Sequence, residues 1–109
     1  MDHNEVLTLM DEIKAATGAE YAYDHFAEGE APDPPFICFL YPGTDNFAAD
    51  NTVYYSEREL NIELYTDYKN PDLEEALEEI LTFYELYFEK SEVWITSERM
   101  YEVLYVMAV

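Results

Sequence analysis

The chain has 109 residues, half of them hydrophobic and 17% aromatic, which fits one domain with a packed core and argues against wholesale disorder. Its 25 acidic residues face only 5 basic ones, for a formal net charge of −20. A surface so poor in cations repels phosphate, so ordinary binding to nucleic acid or to anionic membranes is excluded.

Asn4 is placed to cap a first helix running to about residue 16, with Val6, Leu7, Met10 and Ile13 on one stripe and Gly18 as its stop. Residues 21–27 read as a short strand. The segment EGEAPDPP follows, and its three prolines break regular structure. FICFLY, residues 36–41, is apolar on both faces, as a central strand would be.

Next comes YPGTDNFAADNTVYY, residues 41–55, with two Asp-Asn pairs. Counted from Asp45, an EF-hand would need oxygen ligands where Phe47 and Ala49 stand, Gly where Asp50 stands and Glu where Ser56 stands. Asp and Asn are also ordinary turn residues. The expectation is a long metal-free connection over residues 43–52 that orders against a partner, with Asp45, Asn46, Phe47 and Asp50 as contacts.

A long strand is expected over residues 53–66. Leu60, Ile62 and Leu64 alternate there with Glu57, Glu59, Asn61 and Glu63, giving one buried and one acidic face. Asn70 then caps a second helix with Pro71 in its first turn. Leu73, Ala76, Leu77, Ile80, Leu81 and Tyr84 form its apolar stripe. From Leu86 onward the pattern is β again, with VWIT (93–96) and MYEVLYVMAV (100–109) as strands. The order is α-β-β-β-α-β-β in a single domain, 1–109: an α+β fold with a mainly antiparallel sheet.

Catalytic signals are sparse. The histidines are His3, near the terminus, and His25, in a short strand; Cys38 lies within an apolar run and packs as a small hydrophobe. There is no Gly-rich phosphate loop, nucleophile elbow or HExxH motif. With so many acids, carboxylate pairs arise by accident. The expectation is a protein that is not an enzyme and needs no cofactor or metal. The opening MDHNEV lacks a signal-peptide pattern, no run is apolar enough to span a bilayer, and a lone cysteine suits a reducing compartment.

APDPPFICFLYPGT, ERELNIELYT, NPDLEEALEEIL and MYEVLYVMAV, taken together in this order, resemble the tail-completion group of tailed phages, which includes tail terminators and minor tail or head–tail joining proteins. The resemblance covers about residues 21–109 and lies in element order and spacing. It implies a structural protein forming a ring at the tail's end, with a hairpin loop reaching from the sheet. Its partners would be further copies of itself and the tail tube or head–tail connector. It would reside in the virion, after assembly in the bacterial cytoplasm. The strong acidity departs from what the group requires.

The residues themselves also point to assembly. Strands apolar on both faces need a second cover, and eleven tyrosines suit surfaces half dry and half wet. A monomer whose loops fold over the second face is the alternative. Two other functional classes stay open: an acidic DNA mimic that occupies a basic cleft of a host DNA-binding enzyme, and a halophile's adapted housekeeping domain. In a ring, an acidic inner wall would keep DNA phosphates from sticking. Two candidate faces could supply it: Glu57, Glu59 and Glu63 on the long strand, and Glu74, Glu75, Glu78 and Glu79 on the exposed side of the second helix, free of protein cations.

Overall fold

The computed structural model describes residues 1–49 and 52–109, with side chains at 1–44 and 57–109. Helix α1 spans His3–Thr17 and begins before the expected cap. Asp2, not Asn4, is the cap. Its carboxylate accepts the Glu5 N–H at 2.8 Å while Glu5 accepts the Asp2 N–H at 3.0 Å. That reciprocal pair satisfies two otherwise orphaned donors, and Asn4, with Leu7 three residues on, could not form it. Gly18, at φ 73°, takes the left-handed conformation that ends the helix and donates to the Lys14 carbonyl at 2.7 Å.

Strand β1 (Glu20–Tyr23) is shorter than expected. Asp24, at φ 63°, turns the chain away, so His25 lies beyond the strand. Strand β2 (Phe36–Leu40) then pairs with β1 in parallel. A parallel pair needs a crossover of about a dozen residues. The proline-rich segment 24–35 supplies it without a helix, and it returns with Phe26 edge-on against Phe36.

Residues 43–52 are not a long connection. Thr44–Ala49 form strand β3, paired antiparallel with the start of β4 (Thr52–Thr66) in a hairpin. Pairing satisfies backbone groups that a loop of this length would leave to water. Asp50 lies outside the described residues, as do the side chains of Asp45, Asn46 and Phe47, so their contacts stay an expectation. Helix α2 (Pro71–Phe83) starts as expected, with the Asn70 side chain accepting the Leu73 N–H at 3.2 Å. Strands β5 (Phe88–Ile95) and β6 (Met100–Ala108) complete the order α-β-β-β-β-α-β-β.

The fold is α+β, and the expected elements occur in the expected order with β3 added. The sheet order is β1-β2-β4-β6-β5, with β3 attached to β4 alone. The sheet is mixed, because β1–β2 is parallel and every other pairing is antiparallel. Both helices lie on one face. Val6, Leu9, Met10 and Ile13 of α1 and Leu77 and Leu81 of α2 share a core with Ile37, Phe39, Leu60, Ile62, Leu64, Val103, Tyr105 and Met107. Strand alternation sends Phe36, Cys38, Leu40, Glu63, Tyr65, Glu102, Leu104 and Val106 to the opposite face. Among the described residues no helix covers that face, and segment 24–35 lies along one end of it, where it shares a hollow with Phe36, Tyr65, Ile95 and Met100.

β4 is longer than its neighbours. β6 pairs with it from Glu59 onward, and β2 pairs with Asn61 through Tyr65. At about 3.3 Å per residue, residues 52–58 carry the hairpin about 20 Å past the sheet, with β3 as their only strand partner among the described residues.

Candidate functional site

The acidic residues singled out by the sequence lie in different environments. On α2, Glu74 and Glu78 do not lie on an open acidic face. Glu74 shares the helix's inner side with Leu77 and Leu81 and is only 2% exposed. The Lys69 and Lys90 ammonium groups each approach its carboxylate to 2.8 Å. Glu78, one turn on, is half-buried and accepts from Lys90 at 2.9 Å and from the Tyr105 hydroxyl at 2.8 Å. The expectation of a face free of cations therefore fails for these two. They sit at i and i+4 on the core stripe, where only paired carboxylates are tolerated. Burial raises the Glu74 pKa, but the hydrogen bonds and charges of both lysines outweigh it and hold the group below the usual carboxylate range. Glu75 and Glu79, a step around the helix, are exposed.

On the helix-free face, Glu63 and Glu102 lie on adjacent strands. Glu63 is opposite Leu104, and Glu102 is opposite Tyr65. The two carboxyls lie close enough to interact with each other and with the Tyr65 hydroxyl. Burial first, then the Glu102 charge, pushes Glu63 up to about 7, and Asp24 adds to the rise. Cys38 is buried beside them. Its thiol is pushed up to about 11 by burial and by the charges of Glu63, Asp24 and Glu102. A thiol held so high is a packing group rather than a nucleophile at neutral pH. Next to the cluster a hollow of about 330 Å³ is lined by residues that include His25, Phe26, Phe36, Tyr65, Ile95 and Glu98.

At the other end of the same face, Glu57 and Glu59 join Glu85, Tyr87 and Glu89 around a hollow of about 490 Å³. The fold thus brings Glu57 and Glu59 together with acids that chain distance hides, while Glu63 belongs to a different group. Sequence reasoning missed Glu102, because MYEVLYVMAV reads as apolar on both faces. A lone carboxylate inside such a strand was the available signal. His3 is held rather than loose: its Nδ1 lies 2.6 Å from the Tyr41 hydroxyl, beside an aromatic cluster with Tyr23 and Phe39.

Among the described residues no helix is long and apolar enough to cross a membrane. Compared with known proteins, the chain matches no protein-family model and none of the curated sequences.

Proposed function

We propose that the chain is a structural virion subunit that closes into a ring at the end of a phage tail, as a tail terminator or a head–tail joining component. The observation that carries this reading is the β3–β4 hairpin running past a sheet in which β6 stops beside Glu59 and β2 beside Asn61. A two-stranded arm gains little stability alone and is suited to lying against a neighbouring subunit or the tail tube. The other support is the sheet's β5 edge. It has eight residues, is largely exposed and among the described residues has one strand neighbour, so its outer backbone groups are available to a second copy.

In this ring Glu75 and Glu79, or the end of the sheet carrying Glu57 and Glu59, form the wall that DNA slides past. Glu74 and Glu78 are paired with lysines, and Glu63, pushed up to about 7, is only partly ionised near neutral pH, so these three contribute less field than free carboxylates. A DNA mimic would need an unbroken array of ionised carboxylates, and the same pairing weakens that alternative.

Native mass measured across a concentration range, alone and with the tail-tube protein, tests the proposal. The expected result is a closed oligomer that the tube stabilises and that is visible as a ring by electron microscopy. A strict monomer at high concentration that binds no tail or capsid protein would overturn it. Particles assembled with lysine at Glu75 and Glu79, or at Glu57 and Glu59, locate the wall: the set that lines it impairs DNA passage.

A further inference from the structure

We infer that the helix-free face around Glu63 and Glu102 is a docking surface for a basic protein segment, one that presents Arg or Lys between apolar side chains. The half-buried apolar residues here are Phe36, Leu40, Leu104 and Val106, with Val93 53% exposed on the neighbouring edge strand. Two carboxyls, Glu63 and Glu102 on the adjacent strands β4 and β6, sit in their midst, and Asp24 and Glu98 line the adjoining hollow. An apolar surface with carboxylates at its centre fits a partner of matching pattern and opposite charge.

The chain's own composition separates this partner from a second copy. All five of its cations are described. Lys14 is paired with Glu20, Lys69 with Glu74 and Glu92, and Lys90 with Glu74 and Glu78. Arg58 lies half-buried over the Tyr41 ring, 3.9 Å from its centroid. Among the described residues only Arg99 is both exposed and outside an ion pair. A second copy would therefore press carboxylates on carboxylates. The ring proposed above uses the hairpin and the β5 edge instead, and the present inference does not depend on it.

The face is also costly to the isolated fold. Glu63 faces Glu102 from β6, Asp24 from the turn after β1, Cys38 from β2 and Tyr65 from its own strand, with His25 lining the adjoining hollow. His25 Nδ1 lies 2.9 Å from the Asp24 carboxylate, but among the described residues no lysine or arginine is paired with Glu63 or Glu102. An incoming guanidinium would offset this crowding of negative charge, releasing the proton that Glu63 retains up to about pH 7.

The probe is a blocked peptide of alternating arginine and valine, titrated into the full chain above pH 7. A net-acidic protein attracts any polycation, so the comparison is between two variants of equal charge change. Glu63→Gln with Glu102→Gln is expected to weaken binding about ten-fold, and Glu75→Gln with Glu79→Gln less than about two-fold. Amide shifts of the unaltered protein should centre on Glu63, Tyr65, Glu102 and Leu104, which keeps the test valid if the double variant folds poorly. Affinity should rise between pH 6 and 8. Equal losses in the two variants, shifts centred on α2, or self-association abolished by Leu104→Glu would each overturn the inference, the last by making a second copy the occupant.

Discussion

Replacing Glu74 removes the carboxylate on which two lysines converge. Breaking a buried pair costs about 3–5 kcal/mol when it strands an uncompensated charge. Here Lys69 and Lys90 are 44% and 36% exposed, and each keeps a second acid, Glu92 or Glu78. Most of the stranded-charge penalty is therefore absent, and Glu74→Ala should cost about 2 kcal/mol. With an unfolding entropy of about 2.1 cal/mol/K per residue, that lowers Tm by about 9 °C. Glu74→Leu refills the space beside Leu77 and should recover at least half of the loss. The pH dependence has a definite sign. The folded pKa of Glu74 lies below its unfolded value, so its contribution is complete above about pH 4.5 and is lost as pH falls through the folded value. Urea unfolding of the wild type and of Glu74→Gln, followed by circular dichroism at several pH values, measures it. The difference should be largest at neutral pH and shrink toward zero in strong acid. A loss under about 0.5 kcal/mol at neutral pH, or one that persists unchanged in acid, would refute the reasoning.

Glu63→Gln should act in the opposite sense. A carboxyl raised to about 7 contributes stability that is complete below about pH 4.5 and lost as pH rises through 7. Discounted for its partial exposure, the substitution should stabilise the protein by about 1 kcal/mol at pH 8 and have little effect at pH 4, by the same urea assay. Asn70→Ala removes the acceptor of the Leu73 N–H and should cost about 1 kcal/mol in thermal unfolding, with α2 amides near its start exchanging faster than those at Leu81.

Local chemistry made much of the fold legible. Leu60, Ile62 and Leu64 alternate with polar residues, and that period alone places them on the buried face of β4. Pro71 behind Asn70 marks the start of α2 for reasons contained within a few residues. The α+β class and the element order follow from such signals, which depend on short stretches of chain. Other features depended on partners distant in sequence. Strand β3 forms because β4 offers it a ladder; its own TDNFAA reads as turn chemistry. Glu74 looks like one more charge on an acidic helix until Lys69 and Lys90, one before α2 and one on β5, converge on it. Glu63 and Glu102 lie 39 positions apart, and only the β4–β6 register joins them. Charge is visible in a sequence, but whether a carboxylate is solvated, neutralised or pushed toward its protonated form depends on which groups the packed fold places within a few ångströms, because electrostatic energy falls with distance and grows as water is excluded.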